Sequence, residues 1–156
     1  ALASGADDSA FTPLVPPAPA APPPWIDVYT ALVRYIALIR DNMETLKKKH
    51  SKHLLPSFGE DARRAQESEI TALAQDTTNR LHHAEHAMRQ LTSGAAPAER
   101  DRERTIRVNV QRSIAAQLQA LSIAFRVENK AYLRALYDQA AAVSAAEGGG
   151  GGGGGG

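Results

Sequence analysis

The sequence predicts an all-α protein, an antiparallel three-helix bundle with up-down-up topology and disordered termini. Three long stretches carry apolar residues at alternating spacings of three and four, and no strand-like alternation of apolar and polar residues appears. Short breaks containing proline, glycine and serine separate these stretches. Long amphipathic helices with short connections must bury their apolar stripes against one another, which favours a bundle.

Two low-complexity segments flank the predicted bundle. Residues 1–24 are rich in alanine and proline, and residues 148–156 are consecutive glycines. Neither segment has enough large apolar side chains to offset the entropy cost of ordering, so we expect a disordered first segment and a polyglycine tail or linker. Residues 25–147 form one domain of ordinary size. Because the chain begins with Ala1 and shows no signal peptide, it is interpreted as a fragment.

Composition excludes several classes of function. The chain has 18 basic and 17 acidic residues and a net charge of +1, which gives no electrostatic case for a nucleic-acid partner. It has no cysteine, so disulfides and thiolate zinc sites are excluded. No apolar run approaches the roughly 20 residues that a membrane-spanning helix needs. We therefore expect a soluble, monomeric fragment.

The first predicted helix follows the proline run 22–24. Asp27 is its expected N-cap, and Leu55 followed by Pro56 ends it, since proline disfavours helical geometry in the preceding residue. Its lysine cluster, 47–52, suits the negative end of the helix dipole; the alternative is a basic patch for membranes. Its seam runs from Tyr29 to His53.

The second and third predicted helices are also delimited by capping and helix-breaking residues. The S-x-x-E spacing of residues 57–60 indicates a capping box starting at Ser57, and Pro97 suits the first turn of the third helix. That helix continues through alanines to about Ala146, so it should outlast the other two. The second seam runs from Ile70 to Leu91, and the third from Ile106 to Leu136. The predicted core comprises Tyr29, Leu32, Ile36, Ile39, Met43, Leu46, Ile70, Leu81, Met88, Leu91, Ile114, Leu118, Leu121, Phe125 and Tyr132.

The stretch LHHAEH, residues 81–86, is the strongest candidate for a metal site. Its His82, Glu85 and His86 fit the H-x-x-E-H pattern of one class of zinc peptidase. At 100° per residue, however, its histidines point about 125° to 170° away from the seam and therefore face water. A catalytic zinc also needs a further protein ligand and a dry cavity, which no other segment supplies. The sequence thus predicts no metal, no cofactor and no enzyme; a metalloenzyme is the rival hypothesis.

His50 and His53 differ from these, because both are in phase with the first seam. We expect them to pack at the end of the bundle, each with one ring nitrogen hydrogen-bonded.

Three motifs give the chain a family resemblance. Residues 23–27 read PPWID, residues 50–54 read HSKHL with Pro56 close behind, and residues 109–133 contain NVQRSIAAQLQALS followed by FR and YL. Over about residues 25–137 the chain resembles the N-terminal three-helix (Habc) domain of the Qa-SNAREs, the syntaxins, and above all those of the trans-Golgi network and endosomes. It departs from the family at Asn129, where the family has glutamine. The family's N-terminal Sec/Munc-binding peptide is not recognisable in residues 1–24.

The resemblance implies a regulatory domain of a SNAP receptor (t-SNARE) that acts in vesicle docking and membrane fusion. Its implied partners are the SNARE helix of its own chain, cognate SNAREs and a Sec/Munc-type protein. It implies contact with a membrane only through a C-terminal anchor, which is missing from this chain. The full-length protein is implied to lie at the cytosolic face of trans-Golgi network and endosomal membranes. By the resemblance, a partner groove lies between the second and third helices, lined by Gln111, Arg112, Gln117, Arg126 and Asn129.

Two alternatives stay open. The residues assigned to the groove are equally compatible with a simply solvated helix face. The chain as a whole is compatible with a generic helical-bundle adaptor or oligomerisation module that has no SNARE function, and only the third-helix motif argues against it.

Overall fold

The computed structural model describes residues 22–56, 59–93 and 101–148. Three helices span these residues: α1 (Trp25–His53), α2 (Glu60–Ser93) and α3 (Asp101–Gly148). Each helix packs against both of the others, and the described ranges contain no strand. The predicted all-α three-helix bundle is confirmed.

The direction of α2 follows from its polar contacts with α1. Near the carboxyl end of α1, Lys49 Nζ lies 2.6 Å from a carboxylate oxygen of Glu69. Half-way along, Asn42 donates a hydrogen bond to Asp76 at 2.8 Å. Since residue numbers rise on one helix as they fall on the other, α2 is antiparallel to α1.

The contacts of α3 with α1 run in the opposite sense. Arg40 donates to the side-chain oxygen of Gln117 at 3.1 Å, and His50 Nδ1 lies 3.0 Å from Glu128 further along both helices. The two helices are therefore parallel, which completes the up-down-up topology. It also leaves α1 and α3 adjacent along their whole shared length, with one groove on that side of the bundle and another between α2 and α3.

The amino end of α1 differs from the prediction. The helix begins at Trp25, with Pro24 before it and no side-chain cap, so the assignment of Asp27 as N-cap is wrong. Asp27 lies inside the first turn, where its negative charge still favours the positive end of the helix dipole. The carboxyl end agrees with the prediction, because α1 ends at His53, shortly before Pro56.

The start of α2 depends on a glycine. Gly59 has a φ of 113°, in the left-handed region that side-chain-bearing residues rarely adopt, and its carbonyl accepts a hydrogen bond from the Arg63 amide at 3.3 Å. The predicted capping box begins at Ser57, which lies outside the described residues. The same holds for Pro97, for residues 1–21 and for glycines 149–156.

The core lies along the axis where the three seams meet. Tyr29 departs from the core prediction: it is 36% exposed, because it sits about 60° round the helix from Leu32, toward α3. Met43, Met88 and Leu121 are partly buried and pack on the core. The remaining predicted core residues are buried: Leu32, Ile36, Ile39, Leu46, Ile70, Leu81, Leu91, Ile114, Leu118, Phe125 and Tyr132.

The first turns of α3 also depart from the predicted seam. Ile106 is 48% exposed, whereas its neighbour Arg107 is only 4% exposed. Arg107 lies seven residues, or two turns, before Ile114 and thus points to the core, and its guanidinium donates to the carbonyl of Leu91 at 3.0 Å. A buried cation here satisfies a carbonyl at the carboxyl end of α2, where the helix leaves such groups unpaired.

Candidate docking grooves

The three histidines of LHHAEH lie on the solvent-facing side of α2, as their helical phase predicts, whereas Leu81 and Ala84 of the same stretch are buried. The side chains of His82, His83 and His86 are exposed, and His82 Nδ1 lies 3.7 Å from a carboxylate oxygen of Glu85. Within residues 22–56, 59–93 and 101–148, no three potential metal ligands come together. Its His82 and His86 are one turn apart, and among the described residues no third ligand joins them.

A cluster of buried polar rings connects the carboxyl end of α1 to α3. His50 and Tyr132 stack with their centroids 3.9 Å apart and their planes 5° from parallel. His50 Nδ1 lies 3.0 Å from Glu128, and the Tyr132 hydroxyl lies 2.8 Å from His53 Nδ1. Both histidines are 3% exposed, so the expectation that they pack at the bundle end with one nitrogen hydrogen-bonded is confirmed.

The protons in this cluster follow from its acceptors. A carboxylate only accepts, so His50 carries its proton on Nδ1 and donates to Glu128. His53 Nε2 faces a Glu67 carboxylate oxygen at 3.3 Å, outside hydrogen-bond geometry but close enough to favour a proton on that nitrogen. Nδ1 of His53 then accepts from the Tyr132 hydroxyl. Burial, and secondarily the negative charge of Glu67, raises the pKa of Tyr132 above that of a free tyrosine.

The groove between α2 and α3 is an open trough of about 610 Å³. Its floor is apolar, with Leu118 buried beneath it and Met88 partly buried on the α2 side. Ile123 projects from its wall with 54% exposure. Charged and polar groups form its margins: Glu85, Arg89, Gln119, Ser122 and Arg126.

The structure separates the five residues assigned to this groove. Arg126 lines the α2–α3 groove, and one of its guanidinium nitrogens donates to Ser122 at 2.9 Å. At 100° per residue, Gln111, Arg112 and Asn129 fall within about 60° of Arg126 round α3. Arg112 is exposed, and the other two are partly buried.

Gln117 does not belong to this set, and its assignment to the α2–α3 groove is wrong. It lies about 180° from Arg126 round α3, so it faces α1 and lines the groove on that side. There its side-chain oxygen accepts the hydrogen bond from Arg40.

The groove between α1 and α3, of about 320 Å³, was not anticipated from the sequence. Tyr29, Val33 and Ala37 form its α1 wall, and Val110 and Ser113 form its α3 wall. The signal was present as apolar residues lying just off the two seams. Such residues are also common on ordinary helix surfaces, so they do not indicate a groove until the pairing of the helices is known.

Comparison with known proteins identifies relatives of the whole bundle. The chain is 38% identical over 115 residues to Syntaxin-43 of Arabidopsis thaliana, a match covering 74% of this chain and 33% of that protein. Syntaxin-16 of Homo sapiens is 31% identical over 114 residues, covering 72% and 34% respectively. This chain is a homologue of the syntaxins. The resemblance drawn from the three motifs is thereby confirmed, and the relatives are SNARE proteins and not enzymes.

A more distant relative of this syntaxin homologue is the t-SNARE affecting a late Golgi compartment protein 2 of Schizosaccharomyces pombe. It is 27% identical over 122 residues, covering 78% of this chain and 40% of that protein. The chain spans about a third of the length of its curated syntaxin relatives. No family model matches it, and no solved structure matches it significantly. Among the described helices of this syntaxin homologue, none is long and apolar enough to cross a membrane.

Proposed function

We propose that this chain is the regulatory N-terminal domain of a SNAP receptor, a t-SNARE that acts in vesicle docking and membrane fusion during intracellular protein transport. The observation that supports this function is the α2–α3 groove in a bundle homologous to the syntaxins. The groove takes an amphipathic helix, and its first occupant is the SNARE helix of the parent chain. Helices of cognate SNAREs and a Sec/Munc-type protein are the further partners.

The shape and chemistry of the groove favour a helical occupant. Helix-in-groove recognition places one apolar helix face on an apolar floor, while polar margins fix its orientation. Here Leu118 and Met88 provide the floor. Two arginines, Arg89 and Arg126, against the one glutamate, Glu85, give the margin a net positive charge. An occupant with acidic residues beside its apolar stripe therefore fits better than a basic one. Weak docking is sufficient, because the occupant is tethered to the domain in the parent chain.

The bundle regulates fusion and does not drive it. Each of its helices already buries its apolar stripe against the other two, so none is available to a four-helix SNARE complex. The fission-yeast relative is a t-SNARE affecting a late Golgi compartment. We place the parent protein on the cytosolic face of trans-Golgi network and endosomal membranes, held there by an anchor outside this chain.

The deciding experiment compares rates of SNARE-complex assembly for the parent chain with and without residues 25–147. Both chains are measured at equal concentration and salt, with the cognate Sec/Munc-type protein absent and then present. We expect the bundle to slow assembly and the Sec/Munc-type protein to change that inhibition. Moving the groove from 99% occupied to 1% occupied takes about 5.5 kcal/mol of differential binding. Equal rates in all four conditions would remove the regulatory function.

Charge reversal locates the contact. Arg112→Glu together with Arg126→Glu should relieve the inhibition, since Arg126 lines the proposed groove and Arg112 lies on the same side of α3, about four turns nearer its amino end. Arg34→Glu is the matched control, because Arg34 is an exposed cation on α1 facing away from it. Loss of inhibition in the control as well would indicate a general charge effect and would reject the α2–α3 groove as the site.

A further inference from the structure

The α1–α3 groove has apolar walls that nothing in the described residues covers. Tyr29 and Val33 are 36% and 45% exposed, and Ile106, one turn before Val110 on the α3 side, is 48% exposed. Tyr29, Val33 and Val110 line the groove, and Ile106 lies on the same side of α3 as Val110. Apolar side chains grouped on one exposed face are the chemistry that a docking partner covers.

The floor and the far end of this groove have distinct chemistry. Ala37 and Ser113 face each other across it, and their small side chains leave the space between the helices open. Beyond them lies Arg40, whose guanidinium is hydrogen-bonded to the neutral amide of Gln117. Within the described part of the chain, Arg40 makes no ion pair with a carboxylate. A fitting occupant therefore places apolar side chains beside Tyr29 and Val33 and negative charge beside Arg40.

A segment of the same chain meets this requirement when it runs antiparallel to α1. Residues 7–15 read DDSAFTPLV, with two aspartates, then Phe11, then Leu14 and Val15. The segment precedes α1, so it enters the bundle at the end where the groove begins. We propose that residues 7–15 dock in the α1–α3 groove of their own chain, with Leu14 beside Tyr29 and the aspartates beside Arg40.

The lengths of the two partners agree with this register. From Leu14 back to Asp8 is six residues, or about 19 Å in an extended polyproline-like chain. From Tyr29 to Arg40 is eleven residues of helix, or about 17 Å. In this antiparallel arrangement Phe11 falls near the middle, where the small side chains of the groove leave room for its ring. Residues 16–24 are long enough for the chain to turn back onto α1.

The energetics require only a weak contact. A segment that cannot fold alone still orders on a preformed apolar surface, and it loses its chain entropy at that step. Tethering by a short linker gives an effective concentration of about millimolar, so a contact with a Kd near that value is half occupied. Proline restricts the undocked chain and thereby lowers the entropy cost of docking.

The absence of cysteine from the chain makes a direct test possible. Ser9→Cys introduces a single thiol for a nitroxide spin label into the 156-residue protein, and amide signals are followed by NMR. We expect selective loss of signal at Val33, Ala37 and Ser113, and normal signal at Ser122 and Arg126 on the other face. Phe11→Ala should restore the lost signals, whereas Leu2→Ala, outside the docked segment, should not.

Charge provides the second arm of the test. Arg40→Glu should weaken the selective signal loss, and Arg34→Glu should leave it unchanged. Uniform signal loss, no loss, or loss at the α2–α3 groove would each overturn the proposal. A mixture of two proteins tests whether the docked segment comes from a second copy. One protein carries the spin label and no isotope, and the other is isotope-labelled and contains no cysteine. Signal loss in that mixture would identify a second copy as the source of the segment and overturn docking within one chain. None of these measurements requires a SNARE partner, so the result is independent of the proposed regulatory function.

Discussion

Replacing Tyr132 by phenylalanine isolates the polar connection between α1 and α3. The substitution keeps the ring that stacks on His50 and removes only the hydroxyl that hydrogen-bonds to His53. The loss leaves Nδ1 of His53 as a buried acceptor without a partner. Removal of one partner from a buried hydrogen bond costs about 1–3 kcal/mol. We therefore expect Tyr132→Phe to lower the free energy of unfolding by an amount in that range.

Tyr137→Phe is the matched control, because Tyr137 lies on the same helix and is 75% exposed. Its effect should stay within about 0.5 kcal/mol. Chemical denaturation of both variants and the original protein at pH 7, followed by circular dichroism, gives the comparison. Equal midpoints for the two variants would show that the hydroxyl contributes nothing measurable and would refute the stabilising role of this hydrogen bond.

The pH dependence provides an independent check on the same contact. Burial raises the pKa of Tyr132 in the folded protein above its ordinary value of 10.0. The protonated hydroxyl therefore contributes stability that is fully present below pH 10 and is lost as the pH rises through the folded-state pKa. Phenylalanine does not titrate, so the stability difference between the original protein and Tyr132→Phe should shrink above pH 10. A difference that grows in alkaline solution would contradict the sign.

Three further predictions follow from burial and charge. Phe125→Ala should lower the free energy of unfolding by about 3–5 kcal/mol, because Phe125 is buried. Ile123→Ala, on the exposed wall of the α2–α3 groove, should lower it much less. Thermal melts compare the two variants, and equal losses of stability would contradict the assigned core. Hydrogen bonds from Arg80 and then Asn42 lower the pKa of Asp76, so its contribution is present above the unfolded-state pKa and is lost as the pH falls through the folded-state value. In Asp76→Asn the free energy of unfolding should therefore fall less steeply as the pH is lowered, and the change should be less than about 1 kcal/mol because the carboxylate is partly exposed. An unchanged dependence on acid pH would count against the ion pair of Asp76 with Arg80. His82→Ala combined with His86→Ala should change stability by less than about 0.5 kcal/mol, and a larger loss in urea denaturation would show that this face is not simply solvated.

The helices and most of the core could be predicted from the sequence, because apolar periodicity reports directly which side of a helix is buried. The periodicity failed where an apolar residue and a charged neighbour competed for the core. The apolar seam of the third helix begins at Ile106, yet the neighbouring Arg107 is the buried residue. Its burial depends on a carbonyl at the end of α2, and such a partner is known only once the helices are assembled.

The grooves could be predicted less well, for a geometric reason. A stripe shows which face of α3 is buried, but it does not show whether α1 or α2 lies on a given flank of that stripe. Three helices can be arranged around an axis in either hand, and the two arrangements exchange the flanks. Of the residues that the resemblance implies for the α2–α3 groove, Arg126 lines it, whereas Gln117 lines the α1–α3 groove. The α1–α3 groove was missed for the same reason.

The carboxyl end of α3 has a mechanical consequence for whatever the domain is attached to. Gln139 still donates a hydrogen bond to the carbonyl of Leu54, but residues 140–148 are all exposed. As a helix, these nine residues extend about 14 Å beyond that contact. Unwound, they reach about 30 Å. Their helix has little packing to stabilise it and depends largely on alanine's propensity, so modest tension is enough to lengthen it. Residues 140–148 can therefore act as an extensible spacer, whose length changes about twofold without disturbing the core.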